Sequence, residues 1–400
     1  MKLLLIGTYL DQERIEKYNQ ISQPNSKISI AATKYSKLIS RGFEENLGTD
    51  SQHLFFPPIG TFPSCRKLVW SQTKINDTNY VPFVNIIFLK QVSIFLYLIF
   101  YILNWSLKHK NDQKIIVFTF LYLPFLFSIA PFKLFKKIKF VSFVPDIPEY
   151  EFSYSKSDSV LKRKMVPLYI HLSSKLIGLL DYFIFITKYM KDIFPDRPYS
   201  VMEGLVDKEK EVVAEEDSNR KKAIMYSGAL FEKFGIFTLL NAFSLIEGDY
   251  ELWLFGSGDA VGEITDKALT DHRIKYFGSL PNHEVLKYQK KALLLVNPRY
   301  STEDFTKFSF PSKLMEYLSS GTATLTTRLP GIPADYADKF YFIEDESAQG
   351  FKEALEFCLN KNKEELKAFG SKGRLFVQQQ KNYQKQTEII LNDLRKFIEK

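Results

Sequence analysis

Short apolar runs alternate with helical patterns through the second half of the chain, and this alternation constrains the fold more than any other feature. Helical patterns cover about 236–247 and 311–320, and Gly321 follows the second where helices favour glycine. Repeated strand–helix units predict a parallel sheet covered by helices. The strand-like runs are AIMYSG (223–228), ELWLFGSG (251–258), RIKYFGSL (273–280), LLLVNP (293–298) and ATLTT (323–327).

The first half of the chain repeats this pattern less regularly, and the length of 400 residues suits two domains. Strands are predicted near 2–7, 115–120, 139–144 and 182–187. We therefore predict an α/β chain with two doubly wound parallel-sheet domains facing a central cleft. The predicted segments are a first domain at 1–206, a charged linker at 207–222, a second domain at 223–380, and a helix at 381–400 that packs back towards the first domain.

The positive charge of the chain is concentrated in its first half. Residues 1–200 hold 26 Lys and Arg against 15 Asp and Glu, whereas residues 201–400 hold 28 against 31. Such a basic half favours an anionic partner, either nucleic acid or an anionic membrane. Because no nucleic-acid-binding motif is present, we favour the membrane. The two cysteines, Cys65 and Cys358, exclude a disulfide framework or a cysteine-based metal site and suit a reducing compartment.

Two uncharged segments, 91–107 and 115–132, are about as long as the shortest membrane spans. The favoured interpretation divides them into a helix, a strand and a helix of an α/β layer, since strands buried on both faces are continuously apolar. Membrane insertion is the alternative. The apolar run at the N-terminus is too short for a signal peptide and predicts a first buried strand. The flanking cations suit either a membrane interface or a solvated face: Lys133, Lys136, Lys137, Lys139, Lys162, Arg163 and Lys164.

The densest group of polar and charged residues lies in 297–325. Arg299 directly follows a predicted strand, and Pro311 fits the first turn of the next helix. The free N–H groups of that turn and the cation of Lys313 favour a phosphate, and Glu316 on the same helix face suits a ribose diol. The alternative is a surface salt-bridge cluster of Arg299, Lys313 and Glu316 with Pro311 only starting the helix.

Several motifs follow one another along the stretch 226–341. They are YSGALFEKFG (226–235), LWLFGSG (252–258), IKYFGSLPNHEV (274–285), VNPR (296–299), FSFPSKLMEYLSSGTATL (308–325) and LPGIP (329–333). On these motifs the stretch resembles the donor domain of retaining GT-B glycosyltransferases of the family-four type, in the branch that builds bacterial exopolysaccharide or capsule. This resemblance implies a GT-B fold, with a Rossmann-like N-terminal acceptor domain and a Rossmann-like C-terminal nucleotide-sugar domain.

The resemblance also implies roles for individual residues. Glu316 matches the second acid of the family's E-x7-E motif and is expected to hold the nucleotide ribose. The residues expected to carry the transfer are Arg299, Lys313 and Asp146, the last after the strand KFVSFVPD. The other residues expected to bind the donor are Ser309, Phe310, Pro311, Ser312, Gly228, Lys233, Gly256, Gly258, Phe277 and Leu280.

The sequence departs from the family pattern at several of its polar positions. The first acid of E-x7-E is replaced by Phe308, for which Glu303 or Asp304 is a candidate substitute. The family's arginine after the first donor-domain strand is Ala229, and its lysine is displaced by one position to Lys233. Binding of the diphosphate is therefore expected to depend more on Arg299 and Lys313. The usual histidine of the N-terminal domain is missing as well, because Pro145 precedes Asp146.

These features predict retaining transfer of a sugar from a nucleotide-sugar to a lipid-linked saccharide acceptor. The nucleotide-sugar is expected to be a UDP-sugar, because members of the family usually use one. No metal and no other cofactor is expected, and the chain is expected to be cytoplasmic, peripheral at the inner face of the plasma membrane. The departures support an alternative, a non-catalytic nucleotide-sugar-binding subunit of a polysaccharide assembly complex. A third hypothesis is an integral membrane protein. Glu316→Ala is expected to weaken nucleotide binding with little loss of folding.

Overall fold

The computed structural model describes residues 1–23, 28, 30–71, 73–75, 78–135, 137–147, 160–208 and 220–399, with 30–32, 75 and 160–165 described by their backbone alone. The chain forms two compact units. The first unit consists of Met1–Met202 and Tyr383–Lys400, and the second of Glu203–Asn382.

Each unit is built on a sheet of mostly parallel strands. The strands of the first unit are β1 Lys2–Thr8, β2 Ser51–Phe56, β3 Val69–Trp70, β4 Thr73–Ile75, β5 Thr78–Tyr80, β6 Phe83–Val84, β7 Lys114–Phe118, β8 Ile138–Val144, β9 Tyr182–Phe185 and β10 Tyr199–Val201. Those of the second unit are β11 Lys221–Ser227, β12 Glu251–Phe255, β13 Ile274–Gly278, β14 Ala292–Asn297, β15 Ala323–Thr327 and β16 Tyr341–Ile343.

Helices alternate with these strands along the chain. In the first unit they are α1 Gln12–Gln20, α2 Ile30–Leu47, α3 Leu89–Lys108, α4 Leu123–Ile129 and α5 Val160–Ile177. The second unit contains α6 Ile236–Ser244, α7 Val261–Thr270, α8 Asn282–Lys291, α9 Ser312–Ser320, α10 Ala348–Leu359 and α11 Lys363–Gln380. The last helix, α12 Tyr383–Glu399, returns to the first unit.

Both large sheets are doubly wound. The strand order in the large sheet of the first unit is β10-β9-β8-β7-β1-β2-β5-β4, and every pairing is parallel except the antiparallel pair β4–β5. Strands β3 and β6 form a separate two-stranded antiparallel sheet. The order in the second unit is β13-β12-β11-β14-β15-β16, and every pairing is parallel. In each sheet the direction in which successive strands are added reverses next to the strand that comes first in the chain. This point lies between β1 and β7 in the first unit and between β11 and β14 in the second. The predicted pair of doubly wound α/β domains is confirmed.

The central strands are apolar because both of their faces are covered. Leu3, Leu4, Leu5 and Ile6 of β1 have no solvent exposure, and all residues of β7 are buried. The two uncharged segments of the first half divide as predicted into α3, β7 and α4. Among the described residues, α3 is the one helix long and apolar enough to cross a membrane, and a third of its apolar window is buried. A core helix passes the same test, so this finding alone does not identify a span.

The C-terminal helix α12 packs on α2 of the first unit. The hydroxyl of Tyr383 donates to Glu45 at 2.6 Å and accepts a hydrogen bond from Arg41 at 3.0 Å. A side chain at Gly42 would clash with Thr387. Close helix packing therefore places residues 383–399 with the N-terminal sheet.

The second unit begins before the charged segment that was predicted as a linker, of which residues 209–219 lie outside the described residues. Strand β11 starts at Lys221, and the Arg220 guanidinium donates to the carbonyl oxygens of Ala292 and Gly321, both at 3.0 Å. Residues 220–222 are therefore part of the second sheet and its surroundings.

A buried ion-pair network joins the two ends of the second unit. Lys381 Nζ lies 2.6 Å from Glu203 Oε1 and 2.8 Å from Asp335 Oδ2, and Tyr336 Oη donates to Glu203 at 2.7 Å. Burial opposes the charge of Lys381, but the two carboxylates more than offset it and raise the pKa of this lysine. Burial raises the pKa of Tyr336 well above its usual value, so this hydroxyl stays a hydrogen-bond donor.

Candidate functional site

The strand order of the second sheet places its reversal between β11 and β14. In open α/β sheets, ligands bind outside the carboxyl ends of the strands at this point, because the two flanking loops diverge there. The loop after β11 begins at Gly228, and the loop after β14 begins at Pro298. A side chain at Gly235 would lie 2.0 Å from the Pro298 carbonyl oxygen. These two loops therefore touch, and they form the floor of the candidate site.

Arg299 projects from the end of β14 into this site and is held by aromatic rings. The carbon of its guanidinium lies 4.6 Å from the centre of the Phe234 ring and 5.4 Å from that of Phe305. Its own carbonyl accepts a hydrogen bond from the Thr327 hydroxyl. Burial raises the pKa of Tyr226 at the end of β11 to about 12, although the Arg299 cation opposes this shift. The predicted cation thus sits at the switch point with its plane supported by two rings, which suits a phosphate ligand.

Three of the predicted donor-site glycines, Gly228, Gly256 and Gly258, allow two loops to pack backbone to backbone. Gly256 has a φ of 134°, and a Cβ there would lie 1.8 Å from the Gly228 carbonyl oxygen. At Gly258 a Cβ would lie 2.1 Å from the Leu230 carbonyl oxygen. These glycines fix the loops after β11 and β12 to each other; their contact with a donor remains a prediction.

Helix α9 begins at Ser312, so Pro311 occupies the position before its first turn rather than within it. No side chain caps this end and its first turn holds no acidic residue. The N–H groups and the helix dipole are therefore open to an anion, and the phosphate contact stays a prediction. Gly321 ends the helix with a φ of 74°, which confirms the predicted glycine stop.

Glu316 lies one turn into α9 and is held by two donors at the same oxygen. Its Oε1 accepts from Gln289 Nε2 at 2.7 Å and from Lys313 Nζ at 2.9 Å. Its Oε2 has no hydrogen-bond partner among the described residues. The pair of Lys313 and Glu316 that sequence reasoning left as an alternative is therefore present. It still leaves one carboxylate oxygen for a ligand.

The segment before α9 is anchored by its own neighbours. Ser309 Oγ donates to the Phe305 carbonyl at 3.1 Å, and a side chain at Gly331 would lie 2.2 Å from the Ser309 carbonyl oxygen. Phe310 is buried, with its ring 5.4 Å from that of Tyr336. Its side chain belongs to the core, so any donor contact of Phe310 would be through its backbone.

Phe277 lies at the end of β13 in an aromatic cluster. Its ring stacks on Phe255 at 4.6 Å and contacts Tyr288 at 5.0 Å. Leu280, two residues after the strand, is exposed. The structure places both at the carboxyl edge of the second sheet, where the base of a donor was predicted.

The second unit also matches a known family. Residues 207–376, somewhat under half of the chain, match the family model of Glycosyl transferases group 1. Residues 207–376 are therefore similar to this family, and the two doubly wound units form a GT-B fold. These findings support glycosyl transfer from a nucleotide-sugar. No curated protein matched the sequence.

Solved GT-B structures resemble this chain over nearly its whole length. A sucrose-phosphate synthase from Thermosynechococcus elongatus aligns with a TM-score of 0.63 at 12% identity, covering 99% of both chains. Anabaena HepE in complex with UDP aligns at 0.60 and 12%, covering 99% of this chain and 100% of that one. The lipopolysaccharide outer core galactosyltransferase WaaB in its apo form aligns at 0.60 and 13%, covering 99% of both. At such low identity the likeness shows the fold.

Asp146 is the one predicted site residue that lies in the first unit. It follows β8 by two residues, and part of its surface reaches solvent. Protein atoms packed around its carboxyl group nevertheless displace part of the water there and raise the pKa of this group. Residues 148–159, which begin two positions after it, lie outside the described residues. Across the described parts of both units, no group of three or more His, Cys, Asp or Glu side chains could hold a metal ion.

The sequence did not identify the buried residues that hydrogen-bond to the site residues and to the end of β11. Gln289 is fully buried on α8 and donates to Glu316, and Tyr317 accepts from the Ser227 N–H at 2.9 Å. Phe234 stands where the family pattern has a lysine, and its ring lies against the Arg299 guanidinium. No local pattern marks a glutamine on one helix as the partner of a glutamate on another, so only the packing of α8 against α9 identifies it.

Proposed function

We propose that this glycosyltransferase moves a sugar from a UDP-sugar, with retention, to a lipid-linked saccharide in exopolysaccharide or capsule synthesis. The observation that carries the donor assignment is Arg299, held over Phe234 and Phe305 at the β11/β14 switch point. A cation fixed there before the ligand arrives stabilises a diphosphate without further reorganisation.

The second unit supplies groups for each part of the donor. The uncapped start of α9 and Lys313 suit the diphosphate, and Glu316 Oε2 suits a ribose hydroxyl. Phe277 and Leu280 suit the border of the base. HepE, a solved structure of the same fold, is in complex with UDP, and this supports uridine as the base.

Transfer from such a donor requires the bond between sugar and phosphate to weaken while negative charge grows on the leaving diphosphate. Arg299, Lys313 and the α9 dipole would stabilise that charge in the place of a divalent metal. As the sugar–phosphate bond breaks, the acceptor oxygen would bond to the anomeric carbon, and a phosphate oxygen of the leaving group would accept the proton of that hydroxyl. No residue has to form a covalent bond with the sugar, so the absence of an acid at Phe308 is compatible with turnover.

The acceptor is assigned to the first unit, where Asp146 is the candidate for orienting its hydroxyl. The excess of lysine and arginine in the first half suits the phosphates of a lipid-linked acceptor and an anionic bilayer. We therefore place the protein in the cytoplasm as a peripheral protein of the inner membrane face.

Thermal unfolding with UDP, GDP, ADP and CMP, without added metal, tests the donor assignment. A ligand that binds only the native state raises the unfolding temperature, so a shift specific to UDP is expected. Arg299→Ala should abolish this shift. Arg328→Ala is a matched control, because Arg328 also follows a strand and lies over a ring, that of Phe342, at 4.0 Å. No shift with any nucleotide would refute the donor site.

The departures at Phe308 and Ala229 favour a second candidate, a subunit that binds the nucleotide-sugar without transferring it. Release of UDP from a UDP-sugar, with the lipid-linked acceptor present, separates the two. The proposed enzyme forms a product that keeps the anomeric configuration of the donor, which nuclear magnetic resonance can establish. UDP binding with no turnover across UDP-sugars and lipid acceptors would instead support the non-catalytic subunit.

A further inference from the structure

Helix α3 and the turn before it carry a continuous apolar surface that no described residue covers. Nine large apolar side chains there are 36–65% exposed: Ile86, Ile87, Phe88, Leu89, Val92, Leu96, Phe100, Leu103 and Leu107. The six on the helix are spaced by three or four residues, so they form one stripe along its whole length. We call these nine residues the apolar stripe. Monomeric soluble proteins seldom expose so large an apolar surface without a partner.

The opposite face of α3 is packed against the body of the first unit. Ile94, Leu98 and Ile102 have no solvent exposure, and Lys90 Nζ donates to the Ile59 carbonyl at 2.6 Å within the protein. A helix crossing a bilayer would have to expose this face and its lysine to lipid. The geometry instead suits a helix lying in the plane of a membrane surface, with one face in the protein and one in lipid.

The charges around the apolar stripe are almost all positive. Residues 86–139 hold eight lysines, of which Lys90 and Lys114 are buried, and a single acidic residue, Asp112. Lys108 and Lys110 follow the end of the helix. The loop after α4 carries the exposed side chains of Leu134 and Phe135 next to Lys133 and Lys137.

This loop belongs to the same side of the first unit as the apolar stripe. Helix α4 packs on α3, where the rings of Phe95 and Phe127 are 6.5 Å apart, and Phe127 is itself exposed. Tyr97 and Tyr101 flank the stripe as a stacked, half-buried pair. Tyrosine beside lysine at the edge of an apolar surface is typical of the boundary between lipid headgroups and acyl chains.

We propose that the apolar stripe is the membrane-docking surface of this protein, inserted into the headgroup boundary of an anionic bilayer by α3. This inference rests on the proposed function, because a lipid-linked acceptor is reached at that surface. It goes further by assigning the contact to a helix face. The occupant is a lipid surface rather than a second copy, because a second copy would bring together two clusters of lysines.

Flotation with phosphatidylcholine vesicles, with and without about one third phosphatidylglycerol, tests the proposal. The wild-type protein should float with the anionic vesicles, and high salt should weaken but not abolish this binding. The double variant Leu96→Gln/Phe100→Gln should reduce it by about tenfold or more. Leu269→Gln/Phe357→Gln is the matched control, since these side chains are 74% and 58% exposed on helices of the second unit. It should float like the wild type.

A fluorescent label gives a second readout that does not depend on lost binding. Cys65 and Cys358 are both buried, so a cysteine introduced by Leu96→Cys can be labelled selectively. An environment-sensitive dye there should shift to shorter wavelength on anionic vesicles, whereas the dye at Leu269→Cys should not. Equal flotation of both double variants, or no shift at position 96, would overturn the proposal.

The same samples distinguish a failure of the docking surface from a failure of the proposed donor site. The UDP-dependent thermal shift should be equal in the wild type and both double variants, so a UDP response without flotation refutes only the docking surface. Flotation without any nucleotide response refutes only the donor site. Light scattering tests the other occupant: a wild-type dimer that Leu96→Gln/Phe100→Gln converts to a monomer, without vesicle binding, would assign the apolar stripe to self-association.

Discussion

Replacing Glu316 with alanine is expected to weaken the fold as well as donor binding. The sequence alone predicted weaker nucleotide binding with little loss of folding, with Glu316 expected to hold the nucleotide ribose. In the structure its Oε1 is the acceptor for the buried Gln289 amide at 2.7 Å. The remaining bond of that amide N–H group, to Ser227 Oγ, is long at 3.3 Å. The variant therefore leaves a buried donor poorly satisfied.

The size of the effect follows from the two bonds that are lost. A buried donor without a partner costs about 1–3 kcal/mol, and Gln289 is fully buried. The Lys313 ion pair adds at most ~1 kcal/mol, because this lysine is about one third exposed. Together they predict a loss of about 2 kcal/mol in the free energy of unfolding, roughly a thirtyfold change in the unfolding equilibrium.

Urea unfolding followed by circular dichroism measures this loss, and thermal shift with UDP measures the effect on binding. Glu316→Gln is the control, since its amide oxygen can still accept from Gln289 although the charge is gone. It should recover most of the stability. In a Gln289→Met background, Glu316→Ala should cost about 1–2 kcal/mol less than in the wild type. Equal urea midpoints for Glu316→Ala and wild type would refute the buried-donor argument.

Four further perturbations test other parts of the structure. Arg299→Ala should lower kcat/KM for the UDP-sugar by about a hundredfold with little change in the unfolding temperature, measured by steady-state kinetics and calorimetry. Lys381→Met should lower the free energy of unfolding in urea by about 3–5 kcal/mol, because it leaves Glu203 buried without its cation. Gly256→Ala should destabilise by more than about 3 kcal/mol in the same assay, since its Cβ would overlap a carbonyl oxygen at a φ of 134°. Burial lowers the pKa of Lys90 to about 8 from 10.5. Between these two values the unfolded chain therefore holds a proton on Lys90 that the folded chain has lost. The free energy of unfolding of the wild type in urea should rise by about 2 kcal/mol from pH 7 to pH 9.5. Lys90→Met should lack this rise.

The sequence predicted the second unit in detail because its signals are local. Apolar runs ended by Gly228 or Pro298, and the glycine stop at Gly321, each reflect a few neighbouring residues. The residues that support the site were not predictable in this way. Gln289 and Glu316 are 27 positions apart, and Phe305 contacts Phe234 across two loops. Such pairs depend on how helices and loops pack on the sheet.

The sequence by itself determined the alternation of strands and helices, the two-domain α/β architecture and the position of a polar cluster after β14. These follow from hydrophobic period and turn chemistry, which act over a few residues. Only the tertiary structure decided that Arg299 lies against two aromatic rings, that Glu316 also satisfies a buried amide, and that α3 buries one face and exposes the other. An apolar helix has the same composition whether its outer face meets protein, water or lipid. The neighbours that distinguish these cases are brought together by long-range packing.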